Sequence, residues 1–392
     1  MRVLMTTKAG AGHFGPLIPF ARAFQRADAD VLIAAPGEAA PMVRAEGLPL
    51  WAFDDPPAAE RDAIFAEVQS QGPDVPTVRR VVGDVFARID ARAAFPGILA
   101  ACRAWGPDVL VSEVTEFAGP LAAEIVGVPS VCVGISQQGK EEHAIPSIVD
   151  ALDELRARFG LAPDPSAERL LGRPYLTLLP AALEDPATPA RFPAHRFREA
   201  RPTVRPHPLY GGPADDGPLV YVTFGSVAPT MDFFPGLYRA AIEALASLPL
   251  QLLVTVGRDR DPAELGPLPA NVRVERWVPQ AELMPHVAAM VCHGGSGTVT
   301  MGLAGGVPMA VVPLFADQPW NAERVDAVGA GIALGGGSEA AIAGLRDAVV
   351  RLTGDPSYRS TAQRVAAEMR ALPPVDAAVG LVRGLLVDRL AA

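Results

Sequence analysis

The chain has 392 residues, of which 49% are hydrophobic and 20% charged, and its formal net charge is −10. This length exceeds one ordinary domain and fits two, each able to bury its own core. The acidic balance leaves no extended basic surface, which excludes a nucleic-acid partner. Any phosphate bound here must therefore be held by local dipoles.

The cysteines and the N-terminal residues predict a cytoplasmic protein. Cys102, Cys132 and Cys292 lie far apart in apolar segments, which is typical of reduced core residues. No export signal precedes the first apolar run. Residues 287–316 contain no Asp, Glu, Lys or Arg, which would also fit a membrane span, but glycines and two prolines interrupt them. We therefore predict buried parallel strands and no stable membrane insertion.

The N-terminal half alternates strand-length apolar runs with helical stretches. It begins with Arg2–Thr7, followed by a glycine-bearing turn and a helix from about Phe14. The later apolar runs are DVLIAA, PLWAF, DVLVSE and SVCVGI. This alternation predicts a parallel sheet covered by helices on both faces. The polar, proline-interrupted segment 54–80 predicts a mobile flap.

The first glycine turn, Gly10–Gly15, fits G-x-G-x-x-G after a strand and before a helix, which alone favours a dinucleotide site. Such a site needs an acid at the end of the second strand, where Glu38 comes slightly late, so an NAD-dependent enzyme stays an alternative. The other interpretation starts from His13. A helix N-terminus disfavours the imidazolium form, and a neutral imidazole can act as a general base or simply cap the helix.

A base histidine works better with a carboxylate that orients it. Glu113 directly follows the apolar run VLVS and is the first candidate for this role. Glu116, three residues on, is the second.

The C-terminal half repeats the same pattern after a segment rich in Pro and Gly, in which we place the linker at about 198–217. The apolar run LVYVTF is followed by Gly225 and Ser226 and by a helix from about Phe234. The runs LQLLVTVG, VRVERW, MVCHG and MAVVPL predict a second parallel sheet. Two Rossmann-like halves place the ligand site in a cleft between them.

The stretch from Trp277 to Asn321 contains the groups that a nucleotide-sugar site needs. Trp277 ends one strand and can stack on a base, although most such residues are core aromatics. The turn His293–Thr298 leads from a second strand into a helix, where small residues let backbone N–H groups approach a diphosphate. Asp317 and Gln318 follow a third strand and can bind sugar hydroxyls or merely begin a helix.

Two patterns resemble one family: Gly10-x-Gly12-His13-x-x-Pro16, and the order of groups from Trp277 to Asn321. They resemble bacterial natural-product glycosyltransferases of macrolide, enediyne and polyketide type, in the family 1 UDP/dTDP-glycosyltransferase superfamily. The resemblance implies an α/β protein of the GT-B fold, with two Rossmann-like domains whose parallel sheets face each other across a cleft. It implies an acceptor-binding domain at 1–205, a nucleotide-sugar-binding domain at 217–372 and a helix at 374–392 that packs back on the first domain.

The resemblance also implies an inverting displacement in which His13 is the general base. Glu113 stands where the family has an aspartate, and its longer side chain could support the imidazolium. The implied donor-binding residues are Gly225, Ser226, Trp277, Val278, Gln280, His293, Gly295, Ser296, Gly297, Thr298, Asp317 and Gln318. The implied acceptor is a lipophilic natural-product aglycone contacted by Phe14, Gln137 and the flap at 54–80.

Met301 bears on the identity of the donor. In UDP-sugar enzymes of the family a glutamate at this place holds both ribose hydroxyls, and Met301 cannot accept a useful hydrogen bond. A dTDP-deoxysugar is therefore the favoured donor, with a UDP-sugar as the alternative.

No metal or other cofactor is required by these residues. The D-x-D patterns at 28–30 and 259–261 mimic a metal motif but fit solvated turns, and no His or Cys cluster has ligand spacing. A sugar-nucleotide epimerase and a catalytically silent partner of another transferase stay as alternatives. The oligomeric state is left open, and a homodimer is one option.

Overall fold

The computed structural model describes residues 1–71, 80–199 and 217–391, with the side chains of 68–71, 147 and 388–391 outside the description. Most of the predicted linker and residues 72–79 of the predicted flap lie outside the described residues, as does the predicted boundary at 205. The chain divides into two compact units. The first comprises Met1–Leu179, Glu184–Glu199 and Pro373–Ala392, and the second Pro180–Leu183 and Ala200–Leu372.

The first unit is built on a seven-stranded sheet in the order β3-β2-β1-β4-β5-β6-β7, in which all neighbours are parallel. Its strands are β1 Arg2–Thr6, β2 Asp30–Pro36, β3 Leu50–Phe53, β4 Val109–Glu113, β5 Ser130–Val133, β6 Tyr175–Thr177 and β7 Ala194–Arg196. Its helices are α1 Ala11–Phe14, α2 Leu17–Arg26, α3 Ala40–Ala45, α4 Ala58–Gln71, α5 Val81–Asp90, α6 Ala91–Trp105, α7 Ala118–Val126, α8 Gln138–Ala144, α9 Val149–Arg158 and α10 Glu168–Leu171. The turns of α5 are π-helical.

The strands of the first sheet are apolar on both faces because helices cover both. Along β1, Val3 and Met5 join one hydrophobic cluster, whereas Leu4 between them joins the cluster on the opposite face. Side chains of a strand alternate between faces, so a doubly covered strand must be apolar throughout. This explains why the predicted strands were recognisable as continuous apolar runs.

The second unit has a six-stranded parallel sheet in the order β10-β9-β8-β11-β12-β13. Its strands are β8 Leu219–Thr223, β9 Gln251–Thr255, β10 Val272–Glu275, β11 Ala289–Cys292, β12 Met309–Val311 and β13 Gly331–Ala333. Its helices are α11 Gly236–Leu245, α12 Gln280–Leu283, α13 Ser296–Gly305, α14 Gln318–Val328, α15 Gly337–Gly354 and α16 Pro356–Ala371.

Each sheet has one point at which the strand order reverses. The first strand of each unit, β1 or β8, has a sequential neighbour on one side and a later strand, β4 or β11, on the other. In the first sheet the chain continues to one side after β1 and to the other side after β4. In the second sheet it does the same after β8 and β11. In each sheet this divergence opens a crevice at the carboxyl ends of the two strands. A ligand site in each unit is expected there.

The C-terminal segment belongs to the first unit. Helix α17, Ala377–Ala391, packs against α2, and Val375, Val379 and Val382 complete the apolar cluster around β1. Arg26 Nε donates to Asp376 Oδ1 at 2.8 Å. The segment thus contributes both apolar packing and an ion pair to a unit that begins at the other end of the chain.

The helix predicted from about Phe14 is two helices in the structure. Helix α1 ends at Phe14 and α2 begins at Leu17, because Pro16 lacks the N–H that a continuous helix would need. The short strands β6, β7 and β13 had no counterpart in the predicted set. All three cysteines are buried and free of disulfides, as their apolar surroundings predict. Within the described ranges, no helix is both long and apolar enough to cross a membrane.

Candidate functional site

The first group of predicted site residues lies at the strand-order reversal of the first sheet. His13 follows β1 on the short helix α1, and its side chain is 21% exposed. Gly10 precedes this helix with φ of 112°, a conformation that glycine adopts without the strain a side chain would bring. The turn therefore positions the backbone of His13 so that its imidazole lies next to the end of β4.

Glu113, the last residue of β4, contacts the imidazole. His13 Nδ1 lies 3.2 Å from Glu113 Oε1, and the carboxylate is fully buried. Thr115 holds this carboxylate in place, since its backbone N–H donates to Glu113 Oε2 at 2.6 Å and its hydroxyl donates to the same oxygen at 2.9 Å. The hydroxyl of Thr115 also lies 3.2 Å from His13 Nδ1. With Nδ1 facing the carboxylate, Nε2 is the nitrogen left to receive a proton.

The electrostatics favour an ionised Glu113. Burial alone would raise the pKa of this carboxyl, but His13, Lys8 and the Thr115 N–H together lower the pKa below its usual value. Glu113 is therefore a carboxylate at neutral pH and can stabilise a protonated imidazole.

Glu116, the second candidate partner, is placed elsewhere. Its carboxyl accepts from Thr6 Oγ1 and from the backbone N–H groups of Ala118, at 2.8 Å, and Gly119, at 3.1 Å, so it caps the start of α7. Burial raises the pKa of Glu116 to about 7. The described contacts of His13 include Glu113 and not Glu116.

The two predicted acceptor residues are both buried. The Phe14 side chain packs in the apolar cluster around β1 and is fully covered. The Phe14 side chain therefore exposes no surface in this structure. Gln137 immediately precedes α8 and is also fully covered.

The second group of predicted residues lies at the strand-order reversal of the second sheet. Gly225 follows β8, and His293 follows β11, the strand paired with β8. A Cβ at Gly225 would lie 2.7 Å from His293 Nε2, and one at Gly295 would overlap the same ring. These glycines are therefore needed because the imidazole fills the space beside both turns.

His293 is a neutral imidazole in this site. The residue is 9% exposed, and burial lowers its pKa to about 4, while a hydrogen bond with the Thr223 backbone acts in the opposite direction. Its Nδ1 is buried and has no hydrogen-bond partner among the described residues. A buried polar atom without a partner is costly, so this nitrogen is a candidate contact for a ligand.

Helix α13 begins at Ser296, directly after the glycine turn. The N–H groups of Ser296, Gly297 and Thr298 form its first turn and have no partner within the helix. The positive end of the helix dipole adds to them, so the position suits an anion. Ser226 is exposed at the neighbouring turn.

Asp317 is held by a network that the sequence did not reveal. Its Oδ2 accepts from Ser296 Oγ at 2.7 Å and from Asn321 Nδ2 at 2.9 Å. Asn321 is fully buried and also donates to the Gly294 carbonyl at 2.9 Å. Asn321 stands four residues after Asp317, one helical turn further along, and that spacing is the signal that could have found it.

Two predicted donor residues use part of their side chains for internal contacts. Gln318 Oε1 accepts from the backbone N–H groups of Leu314 and Phe315, at 2.8 and 3.0 Å. Gln280 Nε2 donates to the Tyr221 hydroxyl at 3.1 Å. These amides therefore shape the loops around the site, and only their remaining groups are free to meet a ligand.

Trp277 lies beyond the end of β10 and is 53% exposed, which is unusual for a residue of this size. The Arg258 guanidinium stands over its ring, 4.1 Å from the centroid. The adjacent Val278 is buried. An exposed indole beside a buried backbone turn is suited to stacking a planar group.

No group of three or more His, Cys, Asp or Glu residues that could hold a metal ion occurs in the described parts of the chain. One of the two D-x-D patterns has a local structural role. Asp261 caps the turn Pro262–Leu265, and its side chain accepts from the Ala263 N–H at 3.2 Å.

Comparison with known proteins agrees with this architecture. The family described as Erythromycin biosynthesis protein CIII-like, C-terminal domain, matches residues 239–383. The L-demethylnoviosyl transferase of Streptomyces niveus is 34% identical over 387 residues, which cover 97% of each chain. The elloramycin glycosyltransferase of Streptomyces olivaceus is 30% identical over 401 residues, with 97% of each chain covered.

A solved structure, that of the glycosyltransferase VinC in complex with dTDP, superimposes with a TM-score of 0.79 at 26% identity, covering 99% of this chain and all of VinC. The NAD-dependent enzyme, which the first glycine turn left as an alternative, has no support in these relatives. The two parallel sheets and the matches over nearly the whole chain show that the chain belongs to the bacterial natural-product glycosyltransferases of the GT-B fold.

Proposed function

We propose that this glycosyltransferase is an inverting enzyme that moves a deoxysugar from a dTDP-sugar to a hydroxyl of a lipophilic natural-product aglycone. In this proposal His13 is the general base and Glu113 supports it. The observation that carries the proposal is the 3.2 Å contact between His13 Nδ1 and Glu113 Oε1 at the carboxyl end of β1 and β4. A partly exposed imidazole on a buried carboxylate is the arrangement that base catalysis needs.

The chemical step follows from this geometry. The Nδ1–H of His13 donates to Glu113, so Nε2 carries the lone pair that takes the proton of the acceptor hydroxyl. The acceptor oxygen forms a bond to the anomeric carbon from the face opposite the diphosphate. The bond between that carbon and the phosphate oxygen breaks, and its electron pair leaves with dTDP. The imidazolium that results is stabilised by the Glu113 carboxylate.

The donor groups of the second unit would stabilise the leaving diphosphate. The N–H groups at the start of α13 and the Ser226 N–H would supply dipoles that are already oriented, whereas the Gly225 N–H donates to Thr223 Oγ1 at 3.3 Å. His293 adds one ring nitrogen that is buried without a partner among the described residues. Burial lowers the pKa of His293 to about 4, whereas the charge of a bound diphosphate would raise it, so Nδ1 would gain the proton that it needs to donate to a phosphate oxygen.

The sugar and the base would be held by the remaining groups. Trp277 would stack on the base and the Val278 backbone would meet the base edge. Asp317 Oδ1 would accept from sugar hydroxyls, since Ser296 and Asn321 occupy Oδ2. Gln318 would contribute its Nε2, and Gln280 would orient the loop through Tyr221.

The choice of dTDP has two supports. Met301 on α13 offers no hydrogen-bond acceptor of useful strength for a ribose 2′-hydroxyl. The structure of VinC, which is similar over nearly the whole chain, is a complex with dTDP. Gln137 stays a proposed acceptor contact, whereas Phe14 is not retained because it lies in the core.

Replacing the base is the direct experiment. His13→Ala should lower kcat by about a hundredfold to ten-thousandfold, the usual contribution of a general base, and leave the dissociation constant for dTDP unchanged. Transfer to an aglycone panel is measured by product formation, and dTDP binding by calorimetry. His195→Ala is the matched control, because His195 is an exposed histidine on β7 of the same unit. A His13→Ala enzyme with ordinary kcat would refute the proposal.

A further inference from the structure

Lys8 is a buried cation that the mechanism above does not use. It stands two residues beyond the end of β1 and is 8% exposed. Its Nζ is buried and has no hydrogen-bond partner among the residues described. The chain has only two lysines among its 34 basic residues, so arginine is its usual cation. A lysine buried at such a position points to a role for a compact ammonium that can lose its proton.

The Phe86 ring connects Lys8 to His13. Lys8 Nζ lies 2.7 Å from the centroid of this ring, on its face. The same ring contacts the His13 imidazole at a centroid distance of 5.6 Å and an angle of 87°. A ring held on its face by a cation cannot turn freely, so it limits the orientations open to the imidazole beside it. Phe86 is part of α5, whose π-helical turns are rare and often occur at functional sites.

The charges around Lys8 point to the same site. Glu113, Asp90 and Glu116 attract the ammonium, and Arg61 on α4 repels it. Lys8 in turn favours the ionised forms of Glu113 and Asp90. Burial outweighs the carboxylates and lowers the pKa of Lys8 to about 7. The ammonium thus acts on the carboxylate that holds the base, in the pH range in which a base histidine also titrates.

We propose that Lys8 is a positioning residue for the base: its ammonium balances the buried charge of Glu113 and, through the Phe86 ring, fixes the imidazole of His13. This inference rests on the proposed role of His13. In this role Lys8 acts through the carboxylate of Glu113 and the ring of Phe86.

The pH dependence of Lys8→Met tests this role. Methionine follows the path of the lysine side chain as far as Cε and lacks its charge, so the imidazolium of His13 is no longer opposed by a neighbouring cation. We expect the acid limb of kcat/KM to move upward by about one pH unit, which is a loss of about tenfold near the lower end of the profile. The two enzymes should converge on the alkaline side, where the wild-type ammonium has lost its proton and the base is neutral in both.

The second lysine supplies the matched control. Lys140 forms an ion pair with Asp185, with Nζ–Oδ2 at 2.7 Å, on the same unit but away from β1. Lys140→Met should follow the wild-type profile at every pH. A Lys8→Met enzyme that loses the same factor at all pH values, or none, would overturn the positioning role, because a purely structural lysine would behave in that way.

An NMR titration of the lysine side chains tests the link between Lys8 and Glu113 without measuring enzyme activity. In protein labelled with ¹³C at the lysine ε-carbon, the two lysines of the chain give two signals, and Lys140→Met assigns them. The Lys8 signal should titrate near neutral pH, and Glu113→Gln should shift this titration to lower pH because an attracting charge is lost. An unchanged titration in Glu113→Gln would reject the link. If the His13→Ala enzyme stays active, the proposed role of His13 as the base is wrong. If the His13→Ala enzyme is inactive but the acid limb of Lys8→Met does not move, only the proposed role of Lys8 is wrong.

Discussion

At the scale of single residues, the two acids near His13 show what a sequence leaves open. Glu113 and Glu116 are three positions apart at the carboxyl end of β4, so their spacing does not separate them. The structure places Glu113 against the imidazole and Glu116 against the start of α7. The decision depends on Thr115, whose N–H and hydroxyl hold the Glu113 carboxylate.

The two acids should respond differently to removal of charge. Glu113→Gln keeps the shape of the side chain but cannot stabilise an imidazolium, and it permits the wrong tautomer. We expect kcat to fall by about a hundredfold or more, judged by the effect of such a change in catalytic triads. Glu116→Gln should keep kcat close to that of the wild type and change mainly the thermal stability. The reverse ranking, measured by steady-state kinetics and thermal unfolding, would assign the role to Glu116.

At the scale of elements, the long apolar strands and the glycine turns after them were predictable. Each of the doubly covered strands β1, β4, β8 and β11 is an apolar run, and the chemistry-bearing residues follow directly. The strands β6, β7 and β13 were not predicted, because each has only three residues, and none lies in a continuous apolar run like the MAVVPL that contains the equally short β12. The π-helical turns of α5 were not predicted.

The same limit applies to residues that act through contacts between distant elements. Lys8, Thr115 and Arg258 carry no motif of their own, and only the fold brings them to Phe86, Glu113 and Trp277. Asn321 is intermediate, since it ends the recognised stretch and its role follows from helical spacing. Sequence patterns thus singled out the groups that are proposed to meet a ligand and missed most of the groups that hold them in place.

The turn between β11 and α13 provides a prediction about an element. A methyl group at Gly295 would overlap the His293 ring and displace it. We expect Gly295→Ala to weaken dTDP binding by about tenfold or more, equivalent to about 1.4 kcal/mol, because the ring and the adjacent N–H groups lose their arrangement. Gly354→Ala is the control, since nothing lies within 4 Å of a Cβ added there. Equal dissociation constants for the two variants in calorimetry would contradict this account of the turn.

At the scale of the whole molecule, ligand binding should be visible as stability. A ligand that binds only the folded protein stabilises it by an amount set by its concentration and dissociation constant. We expect dTDP to raise Tm by several degrees, UDP to raise it less, and NAD to have no effect. Met301→Glu should narrow the difference between dTDP and UDP by adding an acceptor for the ribose hydroxyls. A larger shift with UDP than with dTDP in the wild type would instead favour the UDP-sugar alternative.

The path of the chain has a consequence for biosynthesis. Val375, Val379 and Val382 fill the cluster around β1, yet they are translated only after the second unit. During translation this part of the apolar cluster of the first unit therefore stays exposed while more than a hundred further residues, from Ala200 to Leu372, are synthesised. The first unit is therefore completed late, and until then the nascent protein has an aggregation-prone apolar surface that chaperones are suited to cover.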